Sequence, residues 1–533
     1  MIKHYKICIF FIFVSLITLS SLLVKSQNLP VGLSNLEDYF RRQQLLGLVD
    51  SAISFNIRPL VLSSLKQNNF NIDSNLELFN NLSDDSSGTK FTLLPIDWRH
   101  KYTSHHPYGF NDGIMIPAKG YQTVLSGGVF IKSGIFNLQL RPEYLFAENK
   151  IFEEYPLNFN GNDVPQRFGN KTYKDFSWGQ SRFGINVGPV SLALSNENLW
   201  WGPGLKNSIL MSNTSTGFKH ITFNTTRPLK TFIGLIETQV VAGNLENSGF
   251  LYPDLNDKRY FTGLVFNYQP KWLPGIFFGI TRTFQTYSEN LKSFNDYIPL
   301  FRPFQKVKDN NQDDFGSDNN DQITSVYVRW LLKKAHAEIY FEYGKNDNSF
   351  NLRDFYLSPQ HSRANLIGFR KLIVLNKLEN EHLEIAFEAT LLSQSIDRIL
   401  RGAGSYYVHG QILQGHTNRG EVLGAGIGPG GNMQTLNINW NNGFNRFGVQ
   451  LERFEHQADF YDLNFASPTN NGQWLDFGFA AVYDRSYKQF LLTSKLQAIR
   501  STNYQWQSGF NNTLKKDVTN LNIEVGITYF FNK

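Results

Sequence analysis

The stretch that decides the fold is NLNIEVGITYFF, residues 520–531. Leu521, Ile523, Val525, Ile527, Tyr529 and Phe531 fall on one face of an extended chain, and Asn520, Asn522, Glu524, Gly526 and Thr528 on the other, because successive strand residues point to opposite sides. The pattern recurs upstream. HLEIAFEATLL (382–392) sets Leu383, Ile385, Phe387, Ala389 and Leu391 against His382, Glu384, Glu388 and Thr390. TLNINWNNG (435–443) sets Leu436, Ile438 and Trp440 against Asn437, Asn439 and Asn441, and HAEIYFEYG (336–344) sets Ala337, Ile339, Phe341 and Tyr343 against Glu338, Tyr340 and Glu342. Each strand alone would suit a secreted soluble sandwich. Many such strands with aromatic ends, and polar faces carrying Glu, Asn, Gln and Arg in series, instead predict a transmembrane barrel, apolar toward lipid and polar toward an enclosed lumen.

Composition agrees. Of 533 residues, 15% are aromatic, including 46 Phe and 24 Tyr. The mean hydropathy is nevertheless −0.32, as expected where apolar and polar positions alternate. The net charge of +6, from 51 basic and 45 acidic residues, is too small and too dispersed for a nucleic-acid-binding surface.

The N-terminus predicts an export signal over residues 1–26. Lys3 and Lys6 precede an apolar run from Ile7 to Val24, and Val24 and Ser26 suit cleavage before Gln27. The rival is a membrane anchor, since the run is close to the ~18 residues a span needs. The only cysteine, Cys8, lies inside this segment, so the mature chain is expected to lack disulfides and thiolate metal sites. Beyond Val24 no run is long enough for a spanning helix, which leaves a closed barrel as the way to satisfy every backbone group in lipid.

Residues 27–95 predict a periplasmic helical module. Leu36, Tyr39, Phe40, Leu46 and Val49 have helical spacing, Ser34 and Glu37 suit a capping box, and RPLVLSSLKQ (58–67) and SNLELFNNL (74–82) suit two more short helices. Residues 96–533 then form the barrel, with room for roughly 16 to 20 strands. Long, Asn-, Gly-, Asp- and Tyr-rich connections at 146–180, 286–322, 346–363, 400–432 and 459–474 are expected outside the cell, some folding inward.

Other motifs carry little chemistry. Gly426, Gly428 and Gly431 match a dinucleotide fingerprint, but Pro429 interrupts it and a strand follows where a helix is required. His105 and His106 lack the further ligands of a zinc site. Residues 309–321 offer oxygen ligands without calcium-loop spacing. No G-x-S-x-G elbow occurs. No cofactor, metal or catalytic residue is assigned.

SNENLWWGPGLKN, residues 195–207, is different. At a barrel rim, one ring of the Trp200–Trp201 pair would face the lipid girdle. The other, beside Glu197, Asn198 and Asn207, would make a sugar-stacking surface. The rival reading has both rings packing the turn made by Gly202, Pro203 and Gly204. Lys206, Arg227 and Arg419 are expected as positive rim residues for acidic sugars, with Arg141 and Glu143 lining the lumen.

NLWWGPGLKNSILMSN (198–213) resembles the W-W-G-P-G segment of the Wzi capsule-assembly family of the bacterial outer membrane. Residues 36–60 resemble the N-terminal module of its Bacteroidetes-type members. HHPYGFNDGIMIPAKGYQ (105–122) and LQLRPEYLFAENK (138–150) resemble the entry to its first strands, and GHTNRGEVLGAGIGPGG (415–431) a late glycine-rich loop. The chain departs from many barrels in ending TYFFNK, so Phe531 is not terminal. The resemblance implies an eighteen-stranded outer-membrane barrel with a periplasmic helical module and a non-enzymatic role, a lectin that holds capsular polysaccharide at the cell surface; the expected partners are capsular or other surface polysaccharide and outer-membrane lipid, and the expected state is a monomer. The rivals are an outer-membrane channel for sugars or other small solutes, and a barrel hydrolase with a Ser–His pair at a strand rim.

Overall fold

The structure, a computed structural model, describes residues 27–65, 89–156, 163–254, 258–301, 320–346, 356–376, 380–399, 404–465, 472–508 and 516–531. The expected helix at 74–82 and most of the acidic loop at 309–321 lie outside them. No described helix is long and apolar enough to cross a membrane.

Eighteen antiparallel strands close a barrel. In chain order β1 is Lys90–Thr103, β2 Gly120–Ser133, β3 Phe136–Leu140 continued by Glu143–Ala147, β4 Tyr173–Ser177 continued by Arg182–Val187, and β5 Val190–Ser195. β6 is His220–Thr225 continued by Leu229–Lys230, β7 Gly234–Leu245, β8 Arg259–Pro270, β9 Ile276–Tyr287, β10 Asn320–Leu332, β11 Ala337–Asn346 and β12 Arg363–Asn376. β13 is Glu381–Leu391, β14 Asn432–Asn442, β15 Asn445–Glu455, β16 Leu475–Tyr487, β17 Phe490–Thr502 and β18 Val518–Tyr529. β18 closes on β1 in the register Asn522↔Thr103 to Tyr529↔Ile96, so no sheet edge is left unpaired in lipid. β1 begins at Lys90, inside the stretch expected to be helical.

The alternation is realised as sidedness. Asn520 and Asn522 of β18, His382, Glu384 and Glu388 of β13, and Glu338 and Glu342 of β11 are buried inside. Leu125, Leu194, Val326, Ile339, Phe341, Ile367 and Phe479 stand exposed outside, as lipid-facing residues must. Connections such as 134–135, 188–189, 443–444 and 488–489 are short and share one end. Those after β1, β3, β5, β13 and β15 are long and share the other. In barrels of this kind the short turns are periplasmic.

The lumen is a packed interior. One helix, α1 (Ser34–Leu45), lies inside the short-turn end. Leu36, Tyr39 and Phe40 pack against Phe444, Leu491 and Phe530 from the turns and strand ends, with the Tyr39 and Phe444 rings stacked 3.9 Å apart. The helix is capped by Leu33 without a side-chain hydrogen bond, one residue ahead of the cap expected at Ser34. Glu37 turns inward to Arg58, 3.6 Å away. The described part of RPLVLSSLKQ, residues 58–65, is not a regular helix. Ile57–Arg58 and Leu60–Val61 pair as short strands with Trp200–Trp201 and Asn28–Leu29, and a single 3-10 turn follows at Leu62–Leu65. Backbone partners supplied by distant chain override local preference.

Candidate functional site

Three inward loops complete the filling. Leu199, Trp201, Ile209, Leu210 and Met211 from the segment after β5 meet Tyr406, Tyr407, Val422, Leu423 and Ala425 from the segment after β13. Together they pack on inward-facing Val241, Phe261, Val265 and Leu366 of the wall. Residues Ile114, Met115, Ile116 and Ala118, from the segment after β1, close a second patch against Val124 and Leu145.

The W-W-G-P-G segment is the joint between helix, loops and wall. Trp201 is fully buried; its Nε1 donates to Gln239 Oε1 at 2.8 Å, and its ring lies over Gly263, where any Cβ would stand 2.7 Å from it. Trp200 is 4% exposed, with the Arg58 guanidinium 4.9 Å from its ring centre. Arg41 of α1 donates to Pro203 O at 2.7 Å. Glu388 of β13 accepts backbone N–H from Leu205 at 2.6 Å, Lys206 at 3.2 Å and Asn207 at 2.7 Å.

A buried charge lattice clamps α1 to the wall. Glu338 lies 3.0 Å from Arg41 and 2.7 Å from Arg329. Asp38 pairs with Arg42 at 2.5 Å and also with Arg370, which reaches Glu384 at 3.0 Å. Three arginines hold the Asp38 carboxyl well below the usual carboxylate range, against the opposing effect of burial. Glu37 goes the other way: burial raises it from 4.5 to about 7, offset in part by Arg58. Beside this lattice lies a cavity of about 360 Å³ lined by Glu37, Arg58, Lys101, Lys206, Glu384 and Lys495 among others.

The long-loop end presents a different surface. Arg419 stands in a loop at φ +51, its side chain 43% exposed, 2.6 Å from Glu246 and 3.1 Å from Asp175. Burial beneath it pushes Glu421 to about 7 despite Arg167 at 3.1 Å. Elsewhere on this end the His456 ring stacks on Trp474 at 3.7 Å and bonds Asp476 at 2.8 Å, over a cluster of Phe460, Tyr461, Tyr504 and Trp506. His106 joins it, 4.6 Å from Tyr504, and burial depresses it to about 3. Among the described residues no group of three His, Cys, Asp or Glu could hold a metal.

Residues 123–515 match the family model of the capsule assembly protein Wzi. The chain belongs to the Wzi capsule-assembly family. As a member it is an outer-membrane barrel, and its fold resembles a solved Wzi described as an outer membrane protein involved in group 1 capsule assembly in Escherichia coli and a carbohydrate-binding β-barrel. That likeness has a TM-score of 0.62 at 13% identity, over 95% of this chain and 99% of the other. More distant barrels include Acinetobacter baumannii OccAB2, with a TM-score of 0.42 and 10% identity over 83% and 98% of the two chains. Pseudomonas aeruginosa OpdQ follows at 0.40 and 9% over 82% and 97%. No curated protein sequence matches the chain.

This Wzi member brings only part of the expected site together. The tryptophans do not sit at a rim and neither ring meets lipid, because the segment carrying them folds into the lumen. Glu197 is buried, accepting from Asn28 at 2.8 Å and Ser195 at 3.0 Å, and burial raises its pKa. Lys206 is internal, paired with Glu452 at 3.1 Å. Arg227 is exposed between the two halves of β6, toward the short-turn end, and so opposite the mouth where it was expected. Arg141 and Glu143 are buried in the wall, Arg141 donating to Ser126 Oγ at 3.0 Å. Arg419 alone stands on the long-loop surface. Sequence reasoning missed Arg41, Arg58 and Glu338. Their signal was the charge carried by α1 and by the inward faces; their pairing had none.

Proposed function

We propose that the protein acts at the outer face of the outer membrane, where its long loops hold capsular or other surface polysaccharide during capsule assembly. It does so as a monomer, without catalysis, after residues 1–26 are removed, with the segment from Gln27 forming the inner plug. The observation that carries this reading is the occupied lumen: among the described residues α1 and three inward loops pack inside the barrel, which favours contact with a polymer at the loops over passage through the barrel. Family membership points the same way.

Arg419 flanked by Glu246 and Asp175 supplies donors and acceptors side by side, the arrangement that sugar hydroxyls require. Because Arg419 is already neutralised by two carboxylates, hydroxyl-rich units suit it as well as uronic acids do. Many such weak contacts along one polymer strengthen each other through effective concentration. Trp200, Trp201, Glu197, Lys206, Arg141 and Glu143 act as the framework beneath the loops. The test is capsule retention by cells carrying Arg419→Ala with Glu246→Ala, at equal levels of folded barrel. Retention should fall; unchanged retention would remove Arg419 from the site.

A further inference from the structure

The outer wall carries a feature that polysaccharide binding does not use. On the lipid-facing surface of β14 to β18, one row across the strands runs Gln434, Arg453, Phe477, Arg500 and Thr519. The next row toward the membrane centre runs Leu436, Leu451, Phe479, Ala498 and Leu521. The small side chain of Ala498 between larger neighbours leaves a groove of about 610 Å³, apolar along its length and bounded at the loop end by Arg453 and Arg500.

Both guanidinium groups face outward, their side chains 39% and 55% exposed. Arg453 donates to Gln434 at 3.0 Å with Glu455 at 3.8 Å. Arg500 lies 3.2 Å from Asp517 and 3.4 Å from Thr519. Each guanidinium has five donors, more than these contacts use. The row lies two residues from the loop ends of β15 and β17, the end at which strands of such barrels meet the outer interface of the membrane.

We propose that this groove is a binding site for a phosphorylated, multiply acylated glycolipid of the outer leaflet. Its phosphate bridges Arg453 and Arg500, and one acyl chain lies over Phe479 and Ala498. Two cations on either side of Phe477, above an apolar trough, complement an anionic head group on an apolar tail. A sugar polymer would have no use for the trough.

The test is native mass spectrometry of the full mature chain in detergent, titrated with bis-phosphorylated lipid A, enzymatically dephosphorylated lipid A and phosphatidylglycerol. Arg453→Gln with Arg500→Gln removes the phosphate contacts. Ala498→Trp fills the trough and leaves both arginines. Arg485→Gln removes an outward arginine near the opposite end of β16, as a control. Heat-shifted gel mobility verifies that each barrel is folded. The wild type and the control should retain lipid A, and retention should fall about tenfold or more in the other two variants. Equal retention by the double variant, or by dephosphorylated lipid A on the wild type, would overturn the proposal. So would equal retention of phosphatidylglycerol, which would mark an unselective anionic belt.

Discussion

At the scale of single residues, the molecule depends on polar groups that the lumen has withdrawn from water. Glu338 is the clearest, fully buried between Arg41 and Arg329. Truncating one partner of such a lattice leaves cations uncompensated, so Glu338→Ala should cost about 3–5 kcal/mol, read as a lower urea midpoint for unfolding in detergent. Gly202 has φ +130, and a Cβ there would stand 2.7 Å from a Glu342 oxygen. Gly202→Ala should therefore cost roughly 1–3 kcal/mol, seen in the same measurement. Glu37 gives a pH dependence with a definite sign. Its carboxyl rises from 4.5 to about 7 in the folded chain, so the folded state holds a proton that the unfolded state releases between those values. Its contribution to stability is then present at low pH and declines as pH rises through 7. The urea midpoint should fall less steeply from pH 5 to pH 8 in Glu37→Gln than in the wild type; identical slopes would show that Glu37 does not titrate in this window.

Elements were legible to different degrees. β18, β13, β14 and β11 could be read residue by residue, because a period of two is set by backbone geometry and both faces met the environment their composition implied. α1 could be found from Leu36, Tyr39 and Phe40. Its end at Leu45 and its cap at Leu33 could not, since Glu37 is drawn to Arg58 and away from the helix terminus. The segment 198–213 was recognisable as a motif but misplaced at a rim. Nothing local says that Trp201 will lie over Gly263, 62 residues ahead, or that Glu388 will gather three of the segment's amides. That anchorage makes an element-level prediction. Glu388→Ala should leave the barrel closed but free the 198–213 loop, appearing as new proteolytic cleavage within it and a loss of about 3 kcal/mol.

For the whole molecule, sidedness and filling make separate predictions. The outward residues require lipid or detergent, so the chain without residues 1–26 should be monodisperse in detergent and aggregate in plain buffer. The filled lumen predicts almost no steady single-channel current in planar bilayers, where an open barrel of this size would conduct. A steady large conductance would mean that α1 and the inward loops leave the lumen, and it would restore the channel reading.

The sequence by itself determined that the chain crosses a membrane as strands, which face of each strand meets lipid, and the capsule-assembly family to which it belongs. Those properties follow from short-range periodicity and from a compact motif, both written in consecutive residues. Only the tertiary structure decided that the tryptophan pair is an internal joint, that α1 is clamped inside the barrel, and that of the expected site residues Arg419 stands on the long-loop surface. Those outcomes depend on pairings between distant parts of the chain, such as Arg41 with Glu338, in which burial and Coulomb attraction act between groups whose sequence neighbourhoods carry no trace of each other.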